Sequence, residues 1–156
     1  MSSDLLLSAA PTVRAAMGIR RPAAEVFDAF IDPETITRFW IFGSTGPLVA
    51  GDTVAWTMND AGAQATVVVR EVDPTSRLVF DWGDDEAMSQ VEFQFSATED
   101  GFCSVEVTET GLTGTGDELA ARASDSTGGF TMVLCSLKAL LEHGIELGAV
   151  SDRFLE

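Results

Sequence analysis

The chain has 156 residues, and at 16.6 kDa it fits one domain, residues 1–156, large enough to bury roughly 70% of its extended surface. Nine basic against 25 acidic residues leave a formal charge of −16, which repels a phosphate backbone and an anionic bilayer surface and excludes nucleic acid as a natural partner. No apolar run reaches the ~18 residues of a membrane span, so no membrane insertion is expected; Leu5-Leu6-Leu7 has no basic leader before it, and the expected location is the cytoplasm.

Residues 1–10 are weakly patterned and are expected to fray. From Val13 the chain alternates, with Val13, Ala15, Met17 and Ile19 on one side, which predicts a first strand. Pro22 suits the first turn of a helix whose buried stripe is Val26, Phe27 and Phe30. Asp32-Pro33-Glu34 repeats the start signal, a capping carboxylate before a proline at the first helical position, so a second short helix is expected to carry Ile36, Phe39 and Trp40.

After a loop over residues 43–51, with a short extended piece at 48–50, the period becomes two. Val54, Trp56 and Met58 share one face, and Asn59-Asp60-Ala61-Gly62 ends that strand. Residues 64–72 are strongly β-branched and partly apolar on both faces, with Thr66, Val68 and Val72 on one and Val67 and Val69 on the other. Leu78, Phe80 and Trp82 point together, as do Val91, Phe93 and Phe95, and then Cys103, Val105 and Val107 against Ser104, Glu106 and Thr108. Short loops between these runs predict an antiparallel meander.

Gly111, Gly114 and Gly116 interrupt regular structure before a short helix expected at 117–123. Gly128-Gly129 reads either as a bend or as a place where another element approaches the backbone closely. Phe130, Val133, Leu134, Leu137, Leu140 and Leu141 then recur at three- and four-residue intervals, one apolar stripe along a terminal helix. Sheet followed by one long apolar helix predicts an α+β fold with the helix laid across the sheet. Two layers so arranged can pack solid or part around a cavity.

Chemistry-bearing residues are sparse. Cys103 and Cys135 belong to no CxxC pair and read as small core groups. His143, the single histidine, falls near a helix end, and no ligand set for a metal is spaced around it. Asp84-Asp85-Glu86 reads as a solvated turn. Asp81 and Glu92 are the acid–base candidates within strands, but alternation turns both away from the apolar face. No catalytic residues, metal or cofactor are therefore assigned.

Several stretches in this order resemble the START/Bet v 1-like (SRPBCC) superfamily, in particular bacterial proteins related to the activator of Hsp90 ATPase. They are Val26-Phe27-Asp28-Ala29-Phe30 with Asp32-Pro33-Glu34, Arg38-Phe39-Trp40, Gly51-Asp52, Glu71-Val72-Asp73-Pro74, Arg77-Leu78-Val79-Phe80, and Gly129-Phe130 through Leu137-Lys138-Ala139-Leu140-Leu141-Glu142. The resemblance implies a helix-grip fold, a curved antiparallel sheet wrapped around the C-terminal helix, with two short helices after the first strand. Functions in this superfamily range over lipid or polyketide binding, cyclisation and co-chaperone action, and no catalytic set carries over to this chain.

The expected function is binding of a hydrophobic or aromatic small molecule in a cavity lined by Trp40, Trp56, Met58, Phe80, Trp82, Met88, Phe130 and Leu134. Thr57 or Asn59 would orient a polar atom of that ligand. The opposing expectation is that every one of these aromatics simply fills core. A cyclase or hydrolase acting on a hydrophobic substrate, and a co-chaperone-like role with a chaperone partner, are the alternatives. A homodimer is expected from the surplus of apolar residues in the 64–72 strand and from Ile145, Leu147, Val150 and Phe154 near the C-terminus.

Overall fold

The structure, a computed structural model, describes residues 5–154. The elements follow as β1 (Val13–Ile19), α1 (Ala23–Ile31), α2 (Pro33–Ile36), β2 (Gly43–Ser44), β3 (Thr53–Thr57), β4 (Gln64–Asp73), β5 (Arg77–Asp84), β6 (Ala87–Ala97), β7 (Cys103–Thr110) and α3 (Gly116–His143). The strands form one antiparallel sheet of order β1-β7-β6-β5-β4-β3-β2. The α+β arrangement with a helix laid across the sheet is what the sequence pattern predicts, and the curved sheet gripping that helix is what the resemblance implies. The fraying expected of residues 1–10 falls partly outside the described residues; residues 5–10 join no helix or strand, although the Leu5 N–H donates to Asp117 Oδ1 at 2.8 Å.

The helix starts follow the local chemistry. Asp32 accepts the Glu34 N–H at 3.1 Å ahead of Pro33, so α2 begins at the predicted cap, but it lasts only four residues. Phe39 and Trp40 lie beyond it in a turn held by the Trp40 N–H on the Ile36 carbonyl at 2.9 Å, and both are buried. The extended piece expected at 48–50 does not form a strand; the edge strand is instead Gly43–Ser44, paired with β3.

Helix α3 is one continuous 28-residue element rather than two. Thr115 caps its start by accepting the Glu118 N–H, and Gly144, at φ 66°, ends it in the left-handed conformation a glycine adopts freely. Gly128 and Gly129 do not break it, because a glycine inside a helix costs only about 1 kcal/mol and flanking packing outweighs that. They serve close approach: a Cβ on Gly128 would stand 3.0 Å from the Arg153 guanidinium and one on Gly129 3.2 Å from it.

The helix runs along β1. Lys138 Nζ donates to the Gly18 carbonyl at 2.7 Å, and Glu142 accepts both the Arg20 N–H at 3.0 Å and Lys138 Nζ at 2.6 Å. The Arg20 N–H first, and Lys138 second, hold the Glu142 carboxyl below the usual carboxylate range.

Beneath α3 the core is a continuous aromatic band. Phe27 meets Phe95 at 5.2 Å between ring centroids, Phe30 meets Phe93 at 4.5 Å, and Trp40 meets Trp56 at 5.0 Å. Phe130, Val133, Leu134, Leu137 and Leu140 close it from the helix side. Cys103 sits within this core as a free thiol, pushed up in pKa by burial, and Cys135 is free and half-buried.

Strand β4 corrects one expectation. Val67 and Val69 face the core opposite Trp82 and Phe80, and a bulge between Val69 and Glu71 then shifts the register by one residue, so Val72 comes opposite the fully buried Leu78 and packs on the core. The apolar surplus on the outer face of β4 therefore reduces to Thr66 and Val68.

Candidate functional site

The core aromatics are close packed and stop at one end of the sheet. There Trp40 from the turn after α2, Trp82 near the end of β5 and Phe130 on α3 meet, with ring centroids 5.7 Å apart for Trp40 and Trp82, 6.0 Å for Trp40 and Phe130, and 5.8 Å for Trp82 and Phe130. All three line a hollow of about 200 Å³, Trp82 half-buried and Trp40 and Phe130 exposing only 7 and 3% of their surface. Ser126, Gly129 and Val133 of α3 make one wall.

The other wall comes from the segment after α3, which folds back across the helix. Val150 and Arg153 line the hollow, and Arg153 donates to the Asp125 carbonyl at 3.1 Å and pairs with the Asp125 carboxylate at the same distance. This latch crosses α3 where the two glycines remove the side chains that would block it. The glycine pair thus shapes the rim of the hollow.

Of the eight residues expected to line a cavity, Trp40, Trp82 and Phe130 do so. Trp56, Phe80 and Leu134 are at most 1% exposed and back the floor as core. Met58 lies past the end of β3 in a wider outer groove with Phe42, Asn59 and Phe154. Met88 is a correction: Trp82 pairs with Ser89 across the β5–β6 hairpin, so Ser89 shares the face of Val91 and Phe93 and Met88 alternates to the other side. Thr57 lies on the face of β3 opposite Trp56, and the Asn59 side chain accepts the Ala63 N–H at 3.1 Å within its turn, so neither orients anything in the hollow.

Asp81 and Glu92 sit on the outer face, as their alternation predicts. Asp81 takes Arg70 at 2.8 Å and Glu92 takes Arg77 at 2.6 Å. A third strand carboxylate was hidden one step beyond the row Cys103, Val105 and Val107. Glu109 continues that inward row, is 2% exposed, and accepts the Trp82 indole N–H at 2.9 Å and the Ser89 hydroxyl at 2.6 Å. Carrying the alternation two residues further would have found it.

Larger hollows include one of about 390 Å³ between residues 37–42 and the C-terminal segment and another of about 740 Å³ beside Met58. The 200 Å³ hollow is the chemically distinctive one. It brings the rings of Trp40, Trp82 and Phe130 together, and the Trp82 indole donates to the buried Glu109. Among the described residues, no group of His, Cys, Asp and Glu is arranged to hold a metal ion, and no helix is long and apolar enough to cross a membrane.

Comparison with known proteins places this architecture. Protein SSP2350 from Staphylococcus saprophyticus is 26% identical, with a TM-score of 0.74 over 86% of this chain and 94% of that one. The Aha1 dimer from Colwellia psychrerythraea shares the fold at 20% identity, with a TM-score of 0.73 over 86% of this chain and 98% of that one. DynU16, from the dynemicin biosynthetic locus, shares it at 22% identity and a TM-score of 0.74; the match covers 85% of this chain and 48% of that protein. No curated protein matches the sequence. The model of one family, described as Activator of Hsp90 ATPase homolog 1-like protein, matches residues 20–142, and the chain belongs to that family within the START/Bet v 1-like superfamily.

Proposed function

We propose that this protein binds a planar hydrophobic small molecule, one or two rings in size, against Trp40, Trp82 and Phe130, without catalysing a reaction on it. The observation that carries the reading is the hollow itself: rings from the turn after α2, from β5 and from α3 end a solid aromatic core at a hollow of about 200 Å³. Drug-sized ligands occupy about 300–1,000 Å³, and benzene fits an apolar cavity of about 150 Å³, so a single- or double-ring ligand matches the space. Trp82, the half-buried ring, offers the ligand more area than the nearly buried Trp40 and Phe130, at about 25 cal/mol per Å² removed from water. The biosynthetic locus of one structural neighbour supports a small-molecule role. The family's description also points to a chaperone partner, but the built feature here is a concave aromatic pocket, and the small molecule is the better fit.

Native mass spectrometry of the purified protein, followed by extraction and a panel of one- and two-ring aromatics, tests this. A one-to-one complex is expected, lost in Ser126→Trp, which fills the hollow from its helix wall while leaving the core untouched. No complex with any member of the panel would defeat the reading.

Homodimerisation remains part of the proposal on narrower grounds than the sequence offered. With Val72 accounted for by the core, the support is the exposed Phe42 and Phe154, which line one groove, and the exposed Ile145 and Leu147, together with the dimeric Colwellia neighbour. Light scattering is expected to give a dimer mass that falls on dilution. A monomer mass at every concentration would remove the dimer.

A further inference from the structure

Among the described residues, Arg153 is the only cation lining the aromatic hollow, in a chain whose formal charge is −16. Its partner Asp125 keeps 67% of its side chain in water, whereas the Arg153 side chain is 22% exposed. The ion pair is therefore lopsided: the carboxylate stands at the solvent rim, and the guanidinium lies under cover in the wall of the hollow. Any occupant of the hollow shares that covered side with the cation.

The ion pair alone does not account for the cation's position. Seating the guanidinium on α3 takes Gly128 and Gly129, since a Cβ at the first would stand 3.0 Å from it and one at the second 3.2 Å. Two glycines inside a helix give up more stability than a solvent-exposed ion pair returns. Nor does Asp125 exhaust the group. Its carbonyl accepts from Nη1 and its carboxylate pairs with Nη2, and a guanidinium has N–H donors beyond those. Ser126, the next residue of α3, brings a hydroxyl to the same hollow. Aromatic walls with a few convergent polar groups are how small-molecule sites fix the orientation of a ligand.

We propose that the hollow selects planar aromatic carboxylates, the ring lying against Trp82 and the acid group accepting N–H bonds from Arg153, with the Ser126 hydroxyl beside it. A guanidinium and a carboxylate pair in one plane, which suits an acid group coplanar with its ring. Asp125 then has two effects: it holds the guanidinium in place, and its charge competes with the ligand's. The proposal rests on the pocket reading above and adds the ligand's chemical class. It runs against the charge of the whole chain, which repels anions, so a preference for the carboxylate has to come from a local cation.

Isothermal titration at neutral pH and about 0.15 M salt, where exposed charges are screened beyond about 8 Å, tests it with naphthalene-2-carboxylate and naphthalene-2-carboxamide. The two probes have nearly one shape, and only the first is charged. The carboxylate is expected to bind the wild type at least about tenfold more tightly, the margin of one hydrogen bond between charged groups. In Arg153→Gln that preference should vanish or reverse. Asp125→Asn removes the competing charge and keeps the backbone carbonyl that Arg153 bonds, so there the preference should grow. If Arg153 were a latch and nothing more, both variants would loosen the same segment and weaken both probes alike. Equal or weaker binding of the carboxylate to the wild type, or a ratio that the two variants leave unchanged or move the same way, overturns the anchor while the pocket stands. Binding of neither probe overturns both.

Discussion

Leu137→Asp is expected to leave the protein unfolded at 25 °C. Leu137 is fully buried at the centre of the α3 stripe, one turn from Val133, Leu134 and Leu140, which are themselves buried. Removing the leucine side chain alone costs about 2–5 kcal/mol. The aspartate adds the penalty of an unpaired carboxylate under the sheet, several kcal/mol more or an upward-shifted pKa of equivalent cost. The sum reaches the whole stability of an ordinary domain, about 5–15 kcal/mol. Leu137→Met, which conserves volume and polarity, should cost less than about 1.5 kcal/mol. Far-ultraviolet circular dichroism with urea titration separates the two variants, and an aspartate variant melting like wild type would place Leu137 elsewhere.

Trp56→Ala is expected to cost about 3–5 kcal/mol, the range for emptying a large aromatic site, and to weaken ligand binding although Trp56 touches no ligand. Trp56 is 1% exposed and meets Trp40 at 5.0 Å, Phe80 at 5.4 Å and Trp82 at 6.2 Å. Two of those three rings are the floor of the hollow. With their support removed, Trp40 and Trp82 sink into the vacated space and the concave surface is lost. Urea unfolding that shows a loss below about 1 kcal/mol would mean that the band tolerates an empty site, contrary to its close ring contacts.

The elements that were legible in the sequence are those whose burial is periodic and uninterrupted. Leu78, Phe80 and Trp82 on β5, Val91, Phe93 and Phe95 on β6, and the stripe of α3 each declare a face because one side meets the core throughout. Legibility failed where a local event changed the count. The bulge in β4 moved Val72 from the outer face to the inner one. The tight β5–β6 turn set the parity by which Ser89 faces inward and Met88 outward. Gly128-Gly129 carried two readings, and only the position of Arg153, 24 residues beyond Gly129, decides between them.

The pocket was legible by half for the same reason. Trp40, Trp82 and Phe130 are large apolar residues in patterned segments, and pattern finds them. Val150 and Arg153 belong to an unpatterned segment whose path over α3 is set by the Asp125 latch, a contact 28 residues apart that no period encodes. Glu109 is the opposite case, a polar residue at an apolar position of a clear alternation, visible once the row is followed to the end of its strand. A break in polarity inside an otherwise regular inward row is where a sequence of this kind records its chemistry.

The central claim, a planar ligand seated on Trp40 and Trp82, is tested most directly by the tryptophan indole N–H signals in a ¹⁵N–¹H spectrum. The chain has three tryptophans, Trp40, Trp56 and Trp82, so each signal can be assigned by a single Trp→Phe variant. On titration with indole, the Trp82 and Trp40 signals are predicted to shift and saturate together at one equivalent, with Trp56, buried behind them, moving least. Saturating shifts confined to residues of the outer groove beside Met58, with the Trp40 and Trp82 signals fixed, would contradict the account.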